Sequence, residues 1–259
     1  MPEPDLPADA LTVQCPPWRA IPGLTHGVTT RAALPEPGKA DFFATIAQAR
    51  AAGAIPTALT IGAEQVHEDH LEAIEELAGA WQFPPGFRSE AALRACEFPR
   101  TDALMTTLPG VMLVIQTADC LPVFAVDPVR RAVGLAHCGW RGLLTGLAGK
   151  LAREMDARGA QAARLQVWLG PCIRVGRYEV GPALVEQFRA AFPGAPVCAD
   201  ETHLDLPAVA RWQLAQAGID PKRIFDCGEC TLGQSDRYHS YRGAGDQAGR
   251  MLSFIGFDL

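Results

Sequence analysis

The clearest pattern in the chain is a succession of apolar runs between positions 111 and 137. The runs VMLVIQT (111–117), LPVFAV (121–126) and AVGLAH (132–137) are rich in valine, and short breaks separate them. Apolar runs of this length between turn residues are typical of buried strands. The sequence therefore predicts three core strands here, with the last two joined as a hairpin through DPVRR.

After the hairpin the apolar spacing changes to that of helices. Five apolar side chains follow one face at a 3.6-residue period: Leu144, Leu147, Ala148, Leu151 and Met155. This spacing predicts one continuous helix across them, ending before Gly159 as a C′ glycine. Two more helices are predicted, one opened by Pro182 and one capped by Asp205. The second has Pro207 in its first turn and ends at Gly218.

The remaining segments predict shorter elements. These are strands at His26–Arg31, at Ala58–His67 with His67 at its end, and at Leu165–Leu169, and a helix at Phe42–Ala52. Residues 1–22 are predicted to be an N-terminal arm or edge segment, and the polar segment 83–100 a surface loop. The C-terminal part predicts a strand in RIFDCGECT (223–231), followed by a functional loop through QAGRMLSFIGF (247–257). Strands and helices mix without strict βαβ alternation, which favours an α+β, mixed-sheet fold over a Rossmann fold.

Composition excludes several classes of function. The 259 residues are 48% hydrophobic and 20% charged, with a formal net charge of −6 and no long basic run. This balance argues against nucleic acid or an anionic membrane as the main partner, and no run of 18 apolar residues could span a bilayer. The acidic, proline-rich N-terminus lacks the features of a signal peptide, so the eight cysteines are expected to be cytoplasmic thiols. The phosphate-binding patterns GxGxxG and GxxxxGK[ST] do not occur.

Costly polar residues lie at the ends of the predicted core strands in TADCLPVFAVDPVRRAVGLAHCGWRG (117–142). Cys120 and His137 belong to this stretch, and His67 lies upstream in EQVHEDH. One thiolate and two imidazoles suit Zn²⁺ and leave a fourth position for water, as in catalytic zinc sites. The spacing alone is equally compatible with two hydrogen-bonded histidines and a buried thiol.

The same ligand set also describes blue-copper sites, and copper binds such sites more tightly than zinc. A multicopper laccase, however, requires a trinuclear cluster fed by paired His-x-His motifs. The chain has six histidines, at positions 26, 67, 70, 137, 203 and 239, and no His-x-His pair. We therefore predict zinc as the cofactor, with copper as a substitute in vitro, and we disfavour a copper-dependent polyphenol oxidase.

A set of short motifs occurs in a fixed order along most of the chain. They are QVH (65–67), TDALMT (101–106), TADCLPV (117–123), AHCGWRG (136–142), LGPCI…YEVG (169–181), CT (230–231), SYR (240–242) and GRM (249–251). Their order resembles that of the bacterial laccase-domain proteins, a family long labelled polyphenol oxidases and regarded as zinc-dependent purine nucleoside phosphorylases with adenosine deaminase activity. The resemblance implies a single domain over residues 23–259, built as a sandwich of mixed β-sheets flanked by helices. It also implies that His67, Cys120 and His137 are the metal ligands and catalytic residues.

The chain departs from the family pattern at several positions. Glu68 follows QVH where the family usually has glycine, Cys138 replaces an alanine beside a ligand, and Gly243 replaces a second arginine after SYR. The family's segment after GVTTR, with its Ser-Leu-Asn-Leu-Gly stretch and Asn-Arg pair, is shortened. The expected metal ligands are unaffected by these changes, whereas the substrate contacts of the N-terminal segment are not expected here.

The resemblance implies phosphorolysis of a purine nucleoside, in which phosphate attacks the ribose C1′ and the base leaves. The phosphate needs cations, and the candidates in the motif loops are Arg141, Arg242 and Arg31. Each of them could instead be a structural ion-pair partner. In deamination, a zinc-activated hydroxide would attack C6 of adenine while an acid or base carries protons. The candidates for that role are Asp102, Asp119 and Glu179, and Trp140 could stack on the base or support its turn.

Two other functions fit the same residues. A metal-free hydrolase would use Cys120 as nucleophile and His137 as base, acting on an amide or on misincorporated cell-wall precursors. A non-catalytic zinc-binding module would need a fourth protein ligand to close the tetrahedron. The pair Cys227 and Cys230 is interpreted as structural thiols, because no second CxxC accompanies it. The predicted partners are small molecules, a purine nucleoside and phosphate; the preferred nucleoside and the oligomeric state are not indicated.

Overall fold

The three predicted core strands divide between two β-sheets that pack face to face. A computed structural model describes residues 8–35, 38, 41–75, 86–198 and 200–258. One sheet has seven strands, in spatial order β1 (Thr12–Val13), β2 (Leu24–Thr29), β13 (Met251–Phe257), β8 (Val111–Thr117), β3 (Leu59–Ala63), β6 (Ala95–Phe98) and β5 (Arg88–Glu90). The other has six, in the order β12 (Ile224–Asp226), β11 (Gln166–Leu169), β9 (Leu121–Asp127), β10 (Ala132–Cys138), β7 (Ala103–Thr106) and β4 (Leu71–Ile74). Both sheets contain parallel and antiparallel neighbours.

Helices cover the outer faces of both sheets. On the seven-stranded sheet lies α2 (Phe42–Ala51), and short α1 (Ala8–Leu11) precedes β1. On the six-stranded sheet lie α3 (Trp140–Leu144), α4 (Leu147–Ala157), α5 (Pro182–Ala191) and α6 (Leu206–Gln216). A last short helix, α7 (Tyr241–Ala244), precedes β13.

Side-chain alternation along the central strands produces three apolar layers. Leu113 and Ile115 of β8 face the space between the sheets, whereas Met112 and Val114 pack with α2. Because both faces of these strands are buried, their apolar runs are continuous rather than alternating. The predicted fold, a single-domain sandwich of mixed sheets flanked by helices, is confirmed.

Several predicted elements are confirmed in detail. The strands β9 and β10 form an antiparallel hairpin whose register runs from Asp127 opposite Ala132 to Leu121 opposite Cys138. Helix α5 begins at Pro182, as predicted. The side chain of the N-cap residue of α6, Asp205, accepts a hydrogen bond from the backbone N–H of Ala208 at 3.0 Å.

The prediction of one helix over 144–155 is wrong. Leu144 ends α3, and α4 begins at Leu147. Between them Gly146 has a φ of 88°, a left-handed conformation that interrupts the helical backbone. The apolar period continues across this break because both helices pack on the same sheet.

The predictions for two segments are also wrong, because their strands depend on remote partners. Segment 83–100 is predicted as a loop, and its residues 83–85 lie outside the described residues. From Arg88 it forms β5 and β6, and β6 pairs in parallel with β3. The stretch 247–257 is not a functional loop throughout, since its last seven residues form β13 between β2 and β8. The sequence also missed β4, which pairs with β7.

The described part of the N-terminal segment packs against the seven-stranded sheet. β1 pairs with the edge of β2, and the fully buried ring of Trp18 contacts the rings of His26 and Trp168 edge-on. Among the described residues, no helix combines the length and the hydropathy needed to cross a bilayer.

One buried carboxylate fixes the turn of the β9–β10 hairpin. Asp127 accepts the N–H groups of Val129 at 2.9 Å and Arg130 at 3.2 Å with Oδ1. Its Oδ2 accepts the N–H of Gln161 at 3.2 Å and the guanidinium of Arg164 at 2.8 Å. Burial alone would raise the pKa of Asp127, but these hydrogen bonds hold it below its usual range. The hairpin that carries Cys120 and His137 at its other end is thereby anchored.

Replacing Asp127 with alanine is expected to lower the free energy of unfolding by about 3 kcal/mol, because buried turn N–H groups and a guanidinium lose their acceptor. Urea denaturation measures this loss. Since the pKa of Asp127 is lower in the folded state, its stabilisation is complete above the unfolded-state pKa of about 4. The stabilisation then disappears as the pH falls through the folded-state pKa.

The matched control is Glu75→Ala, which removes an exposed ion pair with Arg158. This change should alter the free energy of unfolding by less than about 0.5 kcal/mol. Equal losses in the two variants would contradict the anchoring role of Asp127.

Candidate metal centre

The three predicted metal ligands meet at one end of the β9–β10 hairpin. His137 is the penultimate residue of β10 and pairs with Pro122 of β9, close to Cys120 in the loop between β8 and β9. His67 reaches the same point from the turn that follows β3, rather than from the strand end that the sequence predicts. One ligand atom from each of the three side chains lies within 4.8 Å of the other two.

Asp102 holds two of these ligands in place. Its buried carboxylate accepts the backbone N–H groups of Val66 at 3.2 Å, His67 at 3.1 Å and Glu68 at 2.9 Å. It also lies 2.8 Å from Nδ1 of His137. His67 has a φ of 63°, a conformation that a residue with a side chain rarely adopts, and the three N–H bonds stabilise it. Asp102 therefore orients the His67 turn and the His137 ring together, and its role as a proton carrier stays a prediction.

The electrostatics of the cluster favour a thiolate. Burial raises the pKa of Cys120, but the charge of His137 and hydrogen bonds from both histidines outweigh it and lower the pKa to about 6. Burial lowers the pKa of His137, whereas the Cys120 charge and Asp102 raise it to about 9. The thiolate is the form of cysteine that binds metals and acts as a nucleophile.

A glycine after β10 permits the close approach of these groups. A Cβ at Gly139 would lie 3.0 Å from Sγ of Cys120 and 3.3 Å from Cδ2 of His67. Cys138, which replaces the family's alanine, belongs to the core under the helices, where burial raises the pKa of its thiol well above 9.0. Cys138 is therefore a packing residue.

The donor set fits a catalytic zinc ion. Within the described ranges, the group that could hold a metal consists of His67, Cys120 and His137. Because Asp102 occupies Nδ1 of His137, the other ring nitrogen would be the one to bind a metal, and a carboxylate behind a histidine ligand is usual in zinc sites. Three protein ligands leave a coordination position for water or substrate.

The cluster opens into a cavity of about 650 Å³. Its lining includes six aromatic and cationic side chains from the segments around α3, Tyr178 and α7 and from the residue before β13. They are Trp140, Arg141, Tyr178, Tyr241, Arg242 and Arg250. Gln65 and Gln116 also line it, and a 2.8 Å bond from the Gln116 N–H to Oε1 of Gln65 ties the QVH segment to β8. A volume of this size accommodates a small ligand such as a nucleoside.

Two of the three predicted anion-binding arginines line this cavity. The guanidinium of Arg141 lies 4.2 Å from the centre of the Trp140 ring. That of Arg242 lies 5.2 Å from the centre of the Tyr178 ring and donates to the carbonyl of Glu179 at 2.8 Å.

Arg31, predicted together with them, lies outside the lining of the cavity. Its guanidinium donates to the carbonyl of Ser235 at 2.8 Å, and its backbone N–H donates to the carbonyl of Arg237. The chain after β2 thus packs on the segment before α7, and an anion-binding role of Arg31 stays a prediction.

The predicted proton carriers have different surroundings. Asp119 lines the cavity, and its carboxylate accepts the hydroxyls of Thr231 at 2.6 Å and Ser240 at 3.0 Å and the N–H of Arg242 at 2.6 Å. This carboxylate therefore positions the start of α7. Glu179 is exposed and is not among the residues that line the cavity.

Sequence reasoning missed three cavity residues whose signals were nevertheless present. Arg250 belongs to the motif GRM, Tyr178 to the motif YEVG and Gln65 to the motif QVH. Each motif supported the resemblance without indicating which of its side chains faces the cavity, because that depends on how remote segments pack.

Known proteins are similar to this chain in sequence or in fold. A purine nucleoside phosphorylase of Deinococcus radiodurans is 40% identical over 157 residues, and that alignment spans 60% of each chain. An adenosine deaminase named RL5, from an unknown prokaryotic organism, is 31% identical over 197 residues, which cover 74% of this chain and 72% of the relative. The crystal structure of YlmD from Geobacillus stearothermophilus superposes with a TM-score of 0.78 at 27% identity, covering 96% of this chain and 99% of the other.

The sequence profile of one protein family also matches most of the chain. Its description is "multi-copper polyphenol oxidoreductase laccase", and the match extends over residues 43–258. These residues include His67, Cys120 and His137, and they include both sheets from β3 onward. The chain therefore belongs to the multi-copper polyphenol oxidoreductase laccase family.

Proposed function

We propose that this protein is a zinc-dependent purine nucleoside phosphorylase that also deaminates adenosine. The observation that carries the proposal is the convergence of His67, Cys120 and His137 at a cavity of about 650 Å³ lined by aromatic rings and arginines. A purine base requires aromatic surfaces and a phosphate requires cations, and the cavity offers both. The relatives named purine nucleoside phosphorylase and adenosine deaminase support the same activities.

In phosphorolysis a phosphate oxygen forms a bond to C1′ of the ribose as the C1′–N9 bond breaks, giving ribose-1-phosphate and the free base. Bound zinc would supply a Lewis acid that polarises a phosphate oxygen or a water. Arg141 and Arg242 bind the phosphate in the attacking orientation. Asp119 fixes the backbone of Arg242, and Trp140 offers a ring face for the base. In deamination the same cavity orients C6 of adenine toward the water position.

The ligand count favours zinc catalysis over the other readings of the site. The described residues supply three ligands to the cluster, and a non-catalytic module would need a fourth. The described residues likewise contain no paired His-x-His ligands for a multicopper cluster. All eight cysteines are free thiols, which supports a cytoplasmic location.

A second candidate function is a Cys-His hydrolase acting on an amide or a cell-wall precursor. It is favoured by the lowered pKa of Cys120, which burial opposes and His137 produces, since a thiolate beside an imidazolium is the pair that such hydrolases use. The same residues would carry either function, so metal content separates the two.

The activity itself is tested by incubating the purified protein with adenosine and phosphate and separating the products by chromatography. We expect adenine with ribose-1-phosphate, and inosine from deamination. His137→Ala should reduce both activities at least about 100-fold, because a ligand is lost. Cys198→Ser, in a thiol outside the site, should leave both unchanged. A wild-type protein that forms neither free base, ribose-1-phosphate nor inosine would refute the proposal.

Metal content provides the test against the hydrolase. Protein prepared without chelator should contain about one zinc per chain, lose activity when the zinc is chelated and recover it when zinc is added. A protein that retains amide hydrolysis without stoichiometric zinc, and loses it on alkylation of Cys120, would establish the second candidate instead.

The contribution of Asp102 is tested by Asp102→Asn. The uncharged amide has one acceptor oxygen, so it cannot replace the carboxylate that binds both Nδ1 of His137 and the three loop N–H groups. Zinc should therefore bind about 10–100-fold more weakly in a chelator competition. Asp156→Asn, an exposed carboxylate bound to the N–H of Ala162, is the matched control. Urea denaturation of both variants separates loss of zinc affinity from loss of folding. Wild-type affinity in a folded Asp102→Asn protein would contradict the orienting role.

A further inference from the structure

Four arginines line the cavity within the described residues, and they differ in what already binds them. Arg88 forms ion pairs with Asp41 and, at 2.9 Å, with Glu97. Arg141 and Arg242 lie over aromatic rings, as described above. Arg250, which immediately precedes β13, has no carboxylate within ion-pair distance among the described residues.

The surroundings of Arg250 are unusual for this chain. Its Nη1 donates to the carbonyls of Ala248 at 2.7 Å and Gly249 at 3.0 Å, the two residues that precede it. No bond from its Nε or Nη2 to another described residue accompanies these, although the side chain is half-buried. Burial lowers the pKa of Arg250, and the Cys120 charge opposes that effect. No carboxylate bonds directly to this half-buried guanidinium, so an anion bound in the cavity would offset the cost of removing its charge from water.

Other half-buried arginines in the described chain bind carboxylates or connect separate segments of the protein. Arg164 is bound by Asp127 and Arg174 by Asp226. Arg50 pairs with no carboxylate, but it joins three acceptors from separate segments, the carbonyls of Leu93 and Ala58 and the hydroxyl of Thr60. Arg250 makes no such connection between segments, so structural support does not account for it.

The charges of the cavity also decide which end an anion occupies. Asp41, Glu64 and Glu97 line the end near α2, and Arg88 is the single cation among them in the described residues. A phosphoryl dianion is repelled there. At the other end Arg242 and Arg250 line the cavity near Cys120 and α7.

We infer that Arg250, together with Arg242 of the same cavity, binds the phosphoryl group of the ligand at the α7 end. This assignment rests on the proposed function, because only phosphorolysis makes the bound anion a cosubstrate. Two sources could supply this phosphoryl group, inorganic phosphate or the 5′-phosphate of a nucleotide.

Calorimetric titration of the zinc-loaded protein tests the site directly. Wild type should bind inorganic phosphate, and Arg250→Met should bind it about 10–100-fold more weakly, because methionine keeps an apolar stem without the cationic fork. The control is Arg130→Met, an exposed arginine at the hairpin turn, far from Cys120, and it should bind phosphate like wild type. Zinc content should be unchanged in both variants.

Two further readouts exclude a merely structural role. Without phosphate, Arg250→Met should unfold at the same or a higher urea concentration than wild type, and added phosphate should stabilise only the wild type and the control. In phosphorolysis of adenosine, Arg250→Met should raise the KM for phosphate by a larger factor than it lowers kcat.

The titrations with inorganic phosphate and with adenosine 5′-monophosphate separate the two sources. If only the nucleotide binds, and Arg250→Met lowers its affinity, the result supports the phosphoryl site and contradicts phosphorolysis. If wild type binds neither compound, or if Arg250→Met binds both like wild type, the inference is overturned whether or not the protein has nucleoside activity.

Discussion

The site depends on one buried carboxylate, that of Asp102. Four N–H groups converge on it: three from the His67 turn and one from the ring of His137. Burying a carboxylate is costly, and burial alone would raise its pKa, but these hydrogen bonds offset that cost and hold the pKa below its usual range. The same bonds join the turn after β3, in one sheet, to β10 in the other. The ligand cluster is thus assembled by the contact between the two sheets.

A second aspartate, Asp119, fixes the chain on the other side of the ligand cluster. Asp119, beside the ligand Cys120, binds Thr231, Ser240 and the backbone of Arg242, which draws the segment before β13 over the cluster. Asp119 has a φ of 85°, a left-handed conformation that a residue with a side chain rarely adopts. Asp119 binds the backbone N–H of Arg242 and not its guanidinium, which lines the cavity. Buried aspartates therefore organise the chain on both sides of the ligand cluster.

The accuracy of the sequence-based predictions follows from where each signal resides. The strands β8, β9 and β10 are buried on both faces, so their apolar runs are continuous and were recognised. The prediction of a loop at β5 and β6 is wrong because β6 depends on pairing with the remote β3, and β5 on pairing with β6, which local sequence does not encode. The helix predicted over 144–155 is interrupted at Gly146. The spacing of apolar residues shows which face packs on the sheet, but it does not show whether the helical backbone is continuous.

The sequence by itself determined the chemistry of the centre: a cysteine and two histidines at the ends of apolar runs, in motifs that identify the family. It also determined the layered fold, because hydrophobic periodicity specifies which faces are buried. Only the tertiary structure decided which charged groups surround the ligands. It placed Asp102 behind His137, turned Arg31 away and brought Arg250 into the cavity. These placements depend on distances between segments that are remote in the sequence. Burial and charged neighbours together set the pKa of each group, and both exist only after those segments have packed.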